Sequence, residues 1–184
     1  MTTLIYCLLK VFCYCIFKIF FRLEVKGADL VPKKGGVIIA SNHASYLDPP
    51  IIGAVLRRRA TFLAKRYLFN VPIIKIFLNF FAIPVDEDKI VPSTMKEAIK
   101  RLKKGELVVI FPEGRRSKDG SLLDAKRGIG VIASLSSVPI IPAFIEGSHE
   151  VLPVGAKFPR PGKLRVYFGQ PLMSEKGKER EFQE

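Results

Sequence analysis

The chain has 184 residues, 48% of them hydrophobic and 26% charged, which suits one folded domain with a proper core and excludes a disordered segment. Thirty Lys and Arg against 17 Asp and Glu leave a formal charge of +13, which calls for an anionic partner: nucleic acid, lipid headgroups or an acidic carrier protein. The three cysteines, Cys7, Cys13 and Cys15, are confined to the first apolar stretch and there are two histidines, so neither a disulfide framework nor a Cys/His zinc site is expected, and a cytoplasmic domain is the default.

Residues 4–21 read LIYCLLKVFCYCIFKIFF and are apolar apart from Lys10 and Lys18. The segment has neither the leading charges nor the small-residue cleavage site of a signal peptide. It falls at the short limit for a spanning helix, and Lys10 near its middle would cost about 3 kcal/mol on insertion. At about 100° per residue, Thr3, Tyr6, Lys10, Tyr14 and Lys18 share one face. The expectation is a monotopic helix partly sunk in one leaflet, its lysines reaching to lipid phosphates. A helix buried against its own domain and a single spanning anchor are the alternatives. The expected organisation is a membrane-associated helix over 1–22, a catalytic domain over 23–173 and a polar tail over 174–184.

Downstream, short apolar runs alternate with helical patterns, and no internal repeat is present. Val37–Ser41 (VIIAS) reads as a buried strand after the turn Lys33-Lys34-Gly35-Gly36. A helix follows over 49–56, with proline in its first turn and the run Arg57-Arg58-Arg59 at its end. Further expectations are a strand over 61–64, a strongly apolar helix over 71–81, a strand over 82–85 and an amphipathic helix over 92–104 with Gly105 as its stop. The run LVVIF at 107–111 reads as a fully buried strand, 126–137 as a helix, 139–145 as a strand and 163–168 as an alternating edge strand. Strands alternating with helices imply an α/β fold with a mainly parallel central sheet flanked by helices. In such sheets, sites form beyond the carboxyl ends of strands, which directs attention to the loops after residues 41 and 111.

The first of these reads Ser41-Asn42-His43-Ala44-Ser45-Tyr46-Leu47-Asp48-Pro49. A histidine at the end of a strand with a carboxylate five residues on suits a general base and the partner that fixes its tautomer. Asp48 equally suits a helix N-cap ahead of Pro49, or the last member of a Ser45-x-x-Asp48 capping box; both roles are compatible with orienting His43. The second loop, Phe111-Pro112-Glu113-Gly114-Arg115-Arg116-Ser117, offers a carboxylate, a turn glycine and two guanidinium groups suited to phosphate. Alone it is also compatible with a basic surface turn.

Asn42-His43-x4-Asp48 followed by Phe-Pro-Glu-Gly-x-Arg-Ser resembles the glycerolipid acyltransferases that include the 1-acylglycerol-3-phosphate type. The segment Val138-Pro139-Ile140-Ile141-Pro142 and the pair Ala64-Lys65 look like further blocks of that family, and the resemblance runs from about residue 24 to 171. It implies that His43 deprotonates the acceptor hydroxyl, that Asp48 orients it, and that no covalent acyl-enzyme forms. It further implies an acceptor-binding surface of Lys65, Glu113, Gly114, Arg115, Arg116, Ser117, Pro139, Ile140 and Pro142. The implied reaction transfers a fatty acyl group from acyl-CoA or acyl carrier protein to a lyso-phospholipid, most directly giving phosphatidic acid. No cofactor, metal or nucleic acid takes part, and the implied setting is the cytoplasmic face of an anionic membrane.

Two positions depart from the family pattern. Arg115 replaces a residue that is usually small, and Glu87 stands about where the family places a phosphate-contacting arginine. A carboxylate beside a phosphate reverses the sign of the interaction, so a different lyso-lipid acceptor or a non-catalytic membrane-binding relative are the alternatives. Dispersed basic residues and an apolar amino terminus argue against a nucleic-acid module. The absence of a G-x-S-x-G elbow argues against a serine hydrolase.

Overall fold

The computed structural model describes residues 2–70, 78, 82–85 and 92–173. In chain order its elements are α1 (Thr2–Phe20), β1 (Glu24–Lys26), β2 (Val37–Ser41), α2 (Asp48–Val55), β3 (Ala60–Lys65) and β4 (Ala82–Val85). They continue with α3 (Pro92–Lys103), β5 (Leu107–Ile110), α4 (Gly128–Ser136), β6 (Ile140–Glu146), α5 (Ser148–Val151) and β7 (Arg165–Phe168). The apolar helix expected over 71–81, Leu78 excepted, lies outside the described residues, as do Glu87 and the tail from Ser174.

The strands form one sheet in the order β1-β7-β6-β2-β5-β3-β4, parallel throughout except where β6 meets β7. The α/β fold with a mainly parallel sheet is therefore as expected. On the central strand, Val37 and Ile39 point to the face where α1 and α2 pack, alongside Phe17, Ile51 and Ile52. Ile38 points to the opposite face, where Ala98 and Leu102 of α3 meet Ile132 and Ala133 of α4. The uninterrupted apolar runs at 37–39 and 107–110 reflect cover on both faces of the sheet. Each fully buried large aliphatic side chain contributes about 1.5–3 kcal/mol.

One strand is placed differently from the expectation. The 163–168 segment is an interior strand: Val166 pairs with Val25 on one side and Ile145 on the other. The edge is β1, three residues long and too short to carry a periodic signal. The alternation of β7 arises because only one of its faces enters the core. Val166 and Phe168 are buried, while Arg165 and Tyr167 stay half-buried and reach Glu146 at 2.6 Å and 3.0 Å.

The first helix is part of the domain at its carboxyl end. Phe17 and Phe21 are buried, with Cys13 and Ile16 packed against the same core. The expected polar stripe does not face outward as a unit. Tyr6 and Lys10 are partly buried, and the Tyr6 hydroxyl accepts from the Ala60 N–H at 3.4 Å. Burial lowers the Lys10 pKa and raises that of Tyr6. Lys18 donates to the chain's own Leu23 carbonyl at 3.1 Å. Most of the large side chains α1 exposes are apolar, Leu4, Leu8, Val11, Phe12, Ile19 and Phe20, with Tyr14 and Lys18 exposed beside them. Among the described residues no helix is long and apolar enough to cross a membrane.

Gly147 ends β6 at φ 87°, and a Cβ there would overlap the Lys163 carbonyl oxygen. Gly147→Ala should therefore lower stability by about 2 kcal/mol or more, read from the midpoint of chemical denaturation. An unchanged midpoint would show that this turn does not need glycine.

Candidate functional site

Because β2 and β5 are parallel and paired Ala40 to Ile110, the loops that follow them leave the same end of the sheet side by side. The β2 loop is pinned first by Asn42. Its side-chain amide donates to the Ile145 carbonyl at 2.9 Å and its Oδ1 accepts from the Ile145 N–H at 2.7 Å, tying the loop to β6. Asp48 then turns the chain into α2. It is the first helical residue, with Leu47 at the cap, and not the N-cap itself.

The Asp48 carboxylate is wholly buried. Its Oδ2 lies 2.8 Å from His43 Nδ1 and accepts from the Ala44 and Ser45 N–H groups, both at 2.7 Å. The bond to Ser45 is half of the expected capping box. The other half is rerouted: the Ser45 hydroxyl accepts from Leu47 N–H at 3.1 Å and donates to the Leu152 carbonyl at 2.8 Å. An oxygen already taking two N–H donors acts as a carboxylate acceptor, so His43 presents Nδ1–H to it. In the neutral imidazole held that way, Nε2 is the acceptor nitrogen.

The β5 loop closes over the other side of His43. Phe111 stacks on the imidazole with ring centroids 4.1 Å apart and planes 20° apart. Glu113 Oε1 accepts from the His43 N–H at 3.1 Å, and the Ser117 N–H donates to the His43 carbonyl at 2.8 Å. Gly114 has φ 69°, which allows the loop to reverse between those two contacts. Burial pushes the Glu113 carboxyl up, and the Asp48 charge adds to this. The N–H groups of His43 and Leu123 oppose both.

His43 opens on a cavity of about 430 Å³. Phe62, Leu63, Leu68, Leu78, Val85 and Ile110 line its apolar part, and Arg115, Arg116, Lys118 and Lys126 bring four cations to it. Arg116 lies flat over the Tyr46 ring, 3.4 Å from its centre, and its Nη1 is buried without a partner among the described residues. A pocket with apolar walls and several cations suits a molecule with an acyl chain and a phosphate.

The residues singled out from the sequence separate into three groups. His43, Gly114, Arg115 and Arg116 line the cavity, and Asp48 stands directly behind His43. Glu113 and Ser117 are buried and face the backbone of His43. Pro139, Ile140 and Pro142 lie at the start of β6, where Ile140 pairs with Ile38 and Pro142 with Ala40, and none of them lines the cavity. Lys65 closes β3 next to cavity-lining Ala64. Sequence reasoning missed Tyr46, Lys118 and Lys126, and it missed the clamp made by Asn42. The two lysines belong to the same cationic loop as Arg115 and Arg116, which was the available signal.

Comparison with known proteins gives one answer. The model of the acyltransferase family matches residues 22–146. A 1-acyl-sn-glycerol-3-phosphate acyltransferase of Bacillus subtilis is 34% identical over 152 residues, covering 82% of this chain and 73% of that protein. A chloroplastic enzyme of the same name from Brassica napus is 29% identical over 163 residues, covering 85% of this chain and 47% of that protein. The crystal structure of the 1-acyl-sn-glycerophosphate (LPA) acyltransferase PlsC from Thermotoga maritima superposes with a TM-score of 0.85 at 28% identity, covering 96% of this chain and 72% of that one. With the family model matching well over half of its length, the chain belongs to the acyltransferase family.

Proposed function

We propose that this enzyme acylates the free hydroxyl of 1-acylglycerol-3-phosphate at a membrane surface, giving phosphatidic acid. The observation that carries the reading is the His43–Asp48 pair at 2.8 Å, opening on a cavity lined by both apolar side chains and four cations. The names of the relatives point to the same acceptor.

In this reading His43 Nε2 takes the proton as the acceptor's hydroxyl oxygen attacks the thioester carbonyl carbon. The new ester C–O bond forms, the C–S bond breaks, and the proton passes from His43 to the departing thiolate of CoA or of the carrier protein. Asp48 holds the tautomer and steadies the imidazolium that forms in between. Arg115, Arg116, Lys118 and Lys126 supply positive charge for the acceptor's phosphate. The apolar side chains of the cavity suit the acyl chains.

The membrane part of the proposal rests on α1, whose exposed residues include Leu8, Val11, Phe12, Ile19 and Phe20. Exposing so many large apolar side chains along one helix is unfavourable in water and favourable at the boundary of headgroups and acyl chains. In this reading the donor, acyl-CoA or acyl carrier protein, reaches the site from the cytoplasmic face. The formal charge of +13 favours an anionic leaflet.

Given a radiolabelled acyl thioester and a panel of lyso-lipids, the purified protein should acylate 1-acylglycerol-3-phosphate. His43→Ala and Asp48→Asn should each lose about 10²–10⁴ in rate. A wild type that acylates no acceptor, or a His43→Ala variant as active as wild type, would leave a non-catalytic membrane-binding protein as the better reading. Glu87→Arg should improve use of lysophosphatidic acid relative to lyso-lipids without a phosphomonoester; no change would remove Glu87 from acceptor choice. In flotation with anionic vesicles, Leu8→Glu combined with Phe12→Glu should abolish co-migration. Retained co-migration would mean that α1 does not dock the enzyme.

A further inference from the structure

The structure assigns Glu113 to holding the base in place through the main chain of His43, and not to contacting the acceptor. This rests on His43 being the base and departs from the acceptor-binding role that the family resemblance implied. Three observations carry it. Glu113 is 6% exposed and absent from the lining of the cavity, although Pro112 and Gly114 on either side of it are present. Its Oε1 accepts the His43 N–H at 3.1 Å. Its own loop returns four residues later, and the Ser117 N–H donates to the His43 carbonyl at 2.8 Å.

Those contacts complete the restraint of one residue. The two backbone groups of His43 are held by the β5 loop, the ring nitrogen Nδ1 by Asp48, and one ring face by Phe111. Nε2 is the polar atom of His43 left for the reaction. A side chain can pivot about its own backbone even when its ring is hydrogen-bonded, so fixing the peptide on both sides of Cα sets where Nε2 lies. Placement of that kind is worth a large factor in rate.

Charge points the same way. A carboxylate within reach of the acceptor's phosphate would repel it, whereas a buried carboxylate facing N–H donors is stabilised by them. Burial raises the Glu113 pKa and the His43 and Leu123 N–H groups pull it back, while Oε2 is buried without a hydrogen-bond partner among the described residues. Glu113 is thus a positioning residue, and the cations of the cavity are left to meet the phosphate.

The test separates kcat from acceptor KM in the purified full chain. Glu113→Ala should lower kcat by about 10-fold to 100-fold while acceptor KM stays within about twofold. Glu113→Gln, whose amide oxygen can take the same N–H, should recover most of that loss. The chain has two histidines, so ¹⁵N-histidine labelling gives two amide signals, one of them His43. That signal should shift in Glu113→Ala and return toward its wild-type position in Glu113→Gln. The proposal is overturned if acceptor KM rises about tenfold or more with kcat kept, or if the His43 amide is unmoved in Glu113→Ala. Should the alanine variant fail to fold, the glutamine variant decides alone: a large rise in acceptor KM with an unshifted His43 amide overturns the proposal, and near wild-type kinetics support it. If the wild type transfers no acyl group, the proposed reaction fails, while the amide signal still reports whether Glu113 holds His43.

Discussion

A buried carboxylate calls for hydrogen-bond donors, and at Asp48 one oxygen gathers them from the residues just before it. Its Oδ2 takes the Ala44 and Ser45 amides and the His43 ring, so the loop between β2 and α2 is drawn around one atom. Asp48 in turn cannot move, because it opens α2 and Ile51 and Ile52 of that helix are buried in the core. The carboxylate that gathers the loop before α2 is the one that orients the imidazole.

The sheet multiplies that constraint. With β2 at its centre, the loop at its carboxyl end is within reach of both neighbours. Asn42 secures it to β6, and Glu113 and Ser117 secure it to the loop after β5. His43 is therefore held from three strands, and the largely apolar β2 and β5 place those loops side by side. Chemistry at Nε2 needs a fixed donor–acceptor distance, and a parallel sheet buried on both faces is a stiff base for it.

Around this rigid centre the charge and apolarity of the surface are divided by location. Cations concentrate where the β5 loop meets the cavity, and exposed apolar side chains concentrate along α1. The helix turns part of its polar stripe inward because Tyr6 satisfies the Ala60 N–H at the start of β3 and because Phe17 and Phe21 dictate which face meets α2. Its exposed side chains are then mainly apolar, with Tyr14 and Lys18 among them, a mixture suited to docking on lipid.

Much of this was legible in the sequence where the determining physics is local. The apolar runs at 37–41 and 107–111, the second of which leaves the strand at a half-buried Phe111, the helix read over 92–104 with its apolar face and Gly105 stop, and the spacing of His43 to Asp48 each depend on neighbours a few residues apart. The order of the two loops, with the resemblance they carry, indicated the family before any fold was visible. What only the tertiary structure decided is which way side chains point and what they meet. Periodicity reports that 163–168 has one buried face, but not that β1 pairs along its far side. A motif reports that Glu113 and Ser117 accompany His43, but not that the Glu113 carboxylate and the Ser117 main-chain N–H reach its backbone while the Ser117 hydroxyl turns to Asp119. Nor does it tell that Pro139, Ile140 and Pro142 belong to the sheet and not to the cavity. The reason is physical: burial leaves its mark on residue type, whereas the identity of a partner distant in sequence is fixed only when the sheet register brings the two together.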